Sequence, residues 1–222
     1  MKNKVHPYHY SEDKNITQRL IDFGVPLILF WLYFQFYNFG KVSPQEMVKT
    51  TGLMSVALLS LTLLIGPACR FFPTLDVLKA HRKFWGILSF FVALSHAILI
   101  YIFYVNYNLA KLFNPASPKY LGLLAGLASL LILSAVTLTS NKLALNSLSP
   151  KIWKIVQSTA YLALILAVLH FYLVESVNGV LVIKRVVGQI TFGFAAFVVI
   201  VRIVTMILPT LLKSNLIEAK KS

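Results

Sequence analysis

A chain of 222 residues that is 58% hydrophobic and 13% charged carries about half the charge of a soluble domain of its size. That excludes an ordinary water-soluble fold and leaves lipid as the outer solvent. The net charge of +14 does not read as a nucleic-acid footprint, because Lys and Arg fall in short groups between long apolar runs, the pattern that encodes membrane topology.

Residues 1–22 form a polar tail, with Lys2, Lys4, Glu12, Asp13, Lys14, Arg19 and Asp22. They are too polar for the apolar core of a cleavable signal, so the first apolar run is expected to act as an uncleaved anchor. His6 and His9, in His-Pro-Tyr-His-Tyr, read as part of a flexible tail more simply than as a metal site. Six apolar runs follow, at Phe23–Phe39, Thr51–Ala68, Phe84–Tyr104, Tyr120–Thr139, Ile155–Val174 and Val186–Leu212. Each is close to the roughly 20 residues needed to cross a bilayer as a helix. The first is short and places Pro26 in its opening turn. The last is interrupted by Arg202, which is expected to snorkel to the headgroups of the near interface. Trp31, Trp85 and Trp153, close to run ends, read as interface anchors.

The expected fold is therefore an all-α integral membrane protein. A six-helix bundle over residues 23–212 is followed by a polar tail at 213–222. The connecting loops are too short to fold as a nucleotide-binding domain, and no internal repeat is evident. Cys69, the single cysteine, excludes an intrachain disulfide and a cysteine-held cluster. It reads as a small buried residue near a helix end. Fifteen Lys and Arg fall on the side of both termini and the loops after the second and fourth runs, and six on the other side. The positive-inside rule then puts both termini in the cytoplasm.

Ionisable groups inside a bilayer are costly and mark function. The runs hold two histidines, His96 in the third and His170 in the fifth. His96 lies 13 residues beyond Lys83 and His170 lies 16 beyond Lys154. At about 1.5 Å per residue these are depths of about 20 and 24 Å. Two imidazoles at matched depth on parallel helices can clamp one metal from opposite faces. Zinc is disfavoured, since it wants three or four protein ligands. Haem needs two, because the porphyrin supplies the rest. Phe90, Phe91, Leu94, Tyr101, Leu166 and Phe171 would suit a porphyrin. A hydrogen bond across a helix interface is the simpler alternative for each histidine, and a proton relay a third.

The stretch Arg82-Lys83-Phe84-Trp85-Gly86-Ile87-Leu88-Ser89-Phe90, leading to His96 and Tyr101, resembles the third helix of the ferric-reductase-like transmembrane family. Leu138-Thr139-Ser140-Asn141, Trp153-Lys154, Tyr161 and Leu169-His170 resemble its later segment. Within the family the likeness is to the haem-binding membrane subunit of the periplasmic methionine-sulfoxide reductase system. It implies a b-type haem on His96 and His170, in a multi-pass protein of a bacterial inner membrane. It further implies electrons taken from a quinol or from a cytoplasmic flavin reductase, with FMN as a further cofactor. They would pass to a periplasmic molybdenum-cofactor reductase acting on oxidised methionine. The alternatives are a stand-alone ferric or cupric metalloreductase and a haem-free transporter or scaffold. One departure stands out. The family subunit has a histidine four residues after the Trp that opens the fifth helix, and Gln157 holds that place, which withdraws a ligand from a second, inner haem. His81 is the substitute ligand to consider, although beside Arg82 and Lys83 it also reads as a solvated loop residue. Arg70, Arg82 and Lys83 read as topology signals, or as anchors for a propionate or a flavin phosphate. Arg202 has a haem propionate as its alternative partner.

Overall fold

The computed structural model describes residues 15–219, with side chains as far as residue 207. His6 and His9 lie outside the described residues. The described residues form eight α-helices, α1 (Ile16–Leu32), α2 (Pro44–Phe71), α3 (Arg82–Phe103), α4 (Tyr120–Leu138), α5 (Lys142–Ser147), α6 (Pro150–Ser158), α7 (Ala160–Glu175) and α8 (Val186–Ala219), and all but the short α5 contribute to six membrane-length spans. A π-helical turn at Tyr33–Tyr37 extends α1, and α6 and α7 together form the fifth span. The six expected spans are all present, mostly longer than their apolar runs, because polar caps start the helices outside the apolar stretch. Ser43 accepts from Glu46 N ahead of Pro44, and Ser149 from Ile152 N ahead of Pro150.

The first span departs most from expectation. Asn15 caps it by accepting from Gln18 N at 2.9 Å, so the helix begins at Ile16 and Pro26 falls in its interior. A proline there removes the N–H that would bond the carbonyl four residues back, that of Asp22. The indole of Trp85 repairs the loss, donating Nε1–H to Asp22 O at 3.1 Å. Trp85 is therefore no interface anchor: only 2% of its surface is exposed.

The core sits around α2, the most buried span. It packs along α3 on one side and α8 on another, while α4 pairs with α7. Leu59, Leu63, Leu133, Ala163, Leu164 and Val198 fill the centre. Cys69 is buried against Trp85 and Ile65, as its type suggested. Large apolar side chains such as Phe23, Leu131 and Ile200 face outward, where hydrocarbon replaces water.

Contacts define two ends. At the basal end the start of α1 meets the turn before α3, and Trp153 Nε1 donates to Thr139 O at 3.1 Å. At the apical end Arg185 forms a two-pronged salt bridge to Glu46, both N···O distances 2.7 Å. The pairing raises the arginine's pKa and keeps it charged. The same end carries a small hairpin, Ser176–Val177 against Val180–Leu181. Its Asn178-Gly179 turn has positive φ at both residues, the signature of a tight hairpin turn.

Candidate metal centre

His96 on α3 and His170 on α7 come together in the interior, their ring centres 6.2 Å apart and their planes at 79°. Each ring is held from behind by a neighbouring helix. His96 Nδ1 donates to Val48 O of α2, and His170 Nδ1 to Gly122 O of α4, both at 2.8 Å. A carbonyl oxygen only accepts, so both Nδ1 atoms carry the proton and both Nε2 atoms keep a free lone pair. This is the second-shell arrangement that orients a metal-binding histidine.

Each ring also lies flat against a glycine. An added Cβ on Gly52 would fall 2.8 Å from His96 Cε1, and one on Gly126 would fall 2.7 Å from His170 Nδ1. No larger residue fits without moving the imidazole. These two glycines and two carbonyls escaped the sequence reading, as did a signal that could have found them. Val48, Gly52 and His96 recur 74 positions later as Gly122, Gly126 and His170, with Gly52-Leu53-Met54-Ser55 echoed by Gly126-Leu127-Ala128-Ser129. The chain does contain an internal repeat, weak in sequence and plain in the pairing of α2 with α3 and of α4 with α7.

The donor set suits a metal whose remaining positions come from a macrocycle. An imidazole nitrogen binds a metal at about 2.0–2.1 Å and lies about 1.1 Å from its ring centre, so two imidazoles sharing one metal from opposite sides would have centres about 6.2–6.4 Å apart. The observed spacing matches. Among the described residues there is no group of three or more His, Cys, Asp or Glu that could hold a metal ion.

The other expected site residues go elsewhere. His81 is fully buried, not solvated. Its Nδ1 lies 2.8 Å from Asp22 Oδ1, and its ring stacks on Trp85 at 5.4 Å. Arg82 donates Nε–H to Thr62 O at 3.2 Å. Gln157 is turned onto α4, donating to Val136 O, Thr139 Oγ1 and Ser140 Oγ at 3.1–3.2 Å. Arg202 does not snorkel; its Cζ stands 4.5 Å above the Tyr161 ring. Phe91 faces outward, and Tyr101 donates to Tyr107 O in the apical turn.

Fold and site together describe a multi-pass membrane bundle built around a half-buried pair of metal-competent histidines. The model of the ferric reductase like transmembrane component family matches residues 51–168, more than half of the chain, and the chain belongs to that family. It is also similar to the protein-methionine-sulfoxide reductase heme-binding subunit MsrQ of Polaromonas naphthalenivorans (strain CJ2), 22% identical over 144 residues, covering 64% of this chain and 65% of that protein. The match thus spans a little under two thirds of the relative's length.

Proposed function

We propose that this chain is the b-type haem-binding membrane subunit of an electron-transfer pair, with His96 and His170 as axial ligands. The observation that carries the reading is the histidine pair itself: both Nε2 atoms free, both rings fixed, and ring centres 6.2 Å apart. The name of the Polaromonas relative supports both the haem and a protein-methionine-sulfoxide reductase as partner.

A haem bound there supplies reversible one-electron chemistry. The chain's residues do the rest. The Val48 and Gly122 carbonyls fix each tautomer and strengthen each imidazole as a donor. Gly52 and Gly126 let the rings seat deeply between helices. His96 and His170 together would hold the haem, which would then supply electron transfer in preference to oxygen binding.

The charge asymmetry supports a basal end in the cytoplasm and a histidine pair in the outer half of a bacterial inner membrane. Electrons enter basally from a quinol or from a flavin reductase through FMN. They leave apically to a periplasmic molybdenum-cofactor reductase catalytic subunit acting on protein methionine sulfoxide. One haem per chain is expected, since Gln157 is committed to α4 and offers no imidazole in the basal half of the fifth span.

Purified protein should give a pyridine-haemochrome spectrum of haem b at one equivalent per chain. The dithionite-reduced haem should be re-oxidised by such a catalytic subunit only when methionine sulfoxide is present. Absence of haem would overturn the assignment. Re-oxidation by ferric chelate alone, at the same rate, would favour a stand-alone metalloreductase.

A further inference from the structure

A cavity of about 170 Å³ opens at the apical end, with Tyr37, Glu46, Lys49, Phe171, Glu175 and Arg185 in its wall. Two of these residues are chain neighbours of the histidine device. Phe171 follows His170, and Lys49 follows Val48, whose carbonyl holds the His96 ring. Glu175 stands five residues past His170 on α7, about 7.5 Å further toward the apical end.

The two carboxylates of this cavity are held differently. Glu46 is gripped by both prongs of the Arg185 guanidinium, which also donates to Tyr37 O. That fork favours the charged form of Glu46. Glu175 has no such partner. Among the described residues its nearest cation is Lys49, whose Nζ stands 4.0 Å from Oε1, and both side chains are partly exposed. That distance is beyond hydrogen-bond reach. The other groups facing Glu175 are Glu46 of α2, the Tyr37 hydroxyl of the π-helical turn, Tyr104 at the end of α3, and Lys184 and Arg185 ahead of α8. A carboxylate with one loosely held cation, a second carboxylate nearby and access to apical water is the group of this cavity best able to change its protonation.

We propose that Glu175 is a proton-loading residue for the histidine site. It takes up one proton from the apical side when the metal held by His96 and His170 gains an electron, and gives the proton back when the electron leaves. The inference rests on the haem reading. In the balanced step, ferric iron, one electron, one proton and the Glu175 carboxylate become ferrous iron and the carboxylic acid, and no bond to iron forms or breaks. The incoming electron cancels a positive charge in a low-dielectric interior, and with it part of the attraction that keeps Glu175 ionised. The proton is exchanged at the end where the electron leaves, so none has to cross the bilayer. Lys49 sets the pH at which the exchange occurs.

The test uses the detergent-purified, haem-loaded full chain, with Glu175→Gln and Lys49→Gln, titrated by spectroelectrochemistry across about pH 5–9. The wild-type midpoint potential should fall as pH rises, by up to about 59 mV for each tenfold drop in proton activity, the limit for one proton per electron. Glu175→Gln should keep haem content and spectrum and lose most of this slope. Lys49→Gln should keep the slope and move its window to higher pH, because the carboxylate has lost its cation. A pH-independent potential in the wild type would overturn the proposal. So would an undiminished slope in Glu175→Gln, which would assign the proton to the haem propionates. Should Glu175→Gln fail to load haem, Lys49→Gln decides, and an unmoved window there overturns the proposal. Failure of the haem reading is distinct, since it leaves the wild type without haem.

Discussion

The two halves of the core, α2 with α3 and α4 with α6 and α7, carry the same histidine device at one depth and different side chains at another. At the upper level each half presents a carbonyl, a glycine one turn later and a histidine 48 residues on from that carbonyl. Fourteen residues after each carbonyl, at Thr62 and Val136, a second backbone oxygen again accepts from the facing span. There the donors are Arg82 and Gln157. A guanidinium has no lone pair to offer, and the Gln157 amide nitrogen is spent on α4. The repeat therefore builds two paired positions and arms only one for metal.

The largest expected effect comes from breaking the armed pair. His96→Ala or His170→Ala should cut haem content to about a tenth or less, since each removes one of the two imidazoles that would hold the group. Visible spectra of the reduced protein measure this, and both variants should still insert in the membrane. A wild-type spectrum in either one would sink the assignment.

Next come the cradles. Gly52→Ala and Gly126→Ala each put a methyl group within 3 Å of an imidazole atom. Overpacking of this kind costs about 1–3 kcal/mol. If the halves are equivalent, the two variants should lose haem to apomyoglobin at similarly increased rates. A large difference between them would show that one half carries the site and the other merely tolerates it.

The six spans, the charge asymmetry and the candidate histidine pair were legible because hydropathy and intramembrane charge are one-dimensional signals. The cradle was not, because it is a relation between helices. Nothing near Val48 announces that its carbonyl meets a ring 48 residues away. The repeat would have exposed it, but small and apolar residues recur in every membrane helix and hide a match of this length. Trp85 was misread for a related reason. A tryptophan near a helix end usually marks the interface, and only the fold reveals that Pro26 leaves the Asp22 carbonyl in need of a donor. His81 looked solvated beside Arg82 and Lys83, because the sequence does not show that α1 brings Asp22 over it.

That repair predicts a smaller effect, confined to the basal end. Trp85→Phe keeps most of the buried ring but leaves Asp22 O without its indole donor, at about 1–3 kcal/mol for an unsatisfied buried acceptor. The thermal midpoint should fall by a few degrees while the haem spectrum stays unchanged. Pairing it with Pro26→Ala, which restores an N–H to the helix, should recover part of the loss. No recovery would mean that α1 is held by other contacts.

The smallest effect is expected at Gln157. Its amide nitrogen, with two hydrogens to donate, lies 3.1–3.2 Å from three acceptors at the end of α4, so Gln157→His should lower stability by about 1–2 kcal/mol. The new imidazole could still donate Nδ1–H to Val136 O, as His170 does to Gly122 O, and so keep Nε2 free. The facing position nevertheless remains Arg82, a donor without a lone pair. One imidazole opposite a guanidinium does not reproduce the His96 and His170 pair, and the ratio of haem to chain should stay at one. Quantitative haemochrome assay against amino-acid analysis decides the point. A ratio rising toward two in the single variant would mean that His81, despite its bond to Asp22, can swing in as the second ligand, and the contrast between the two levels would fail.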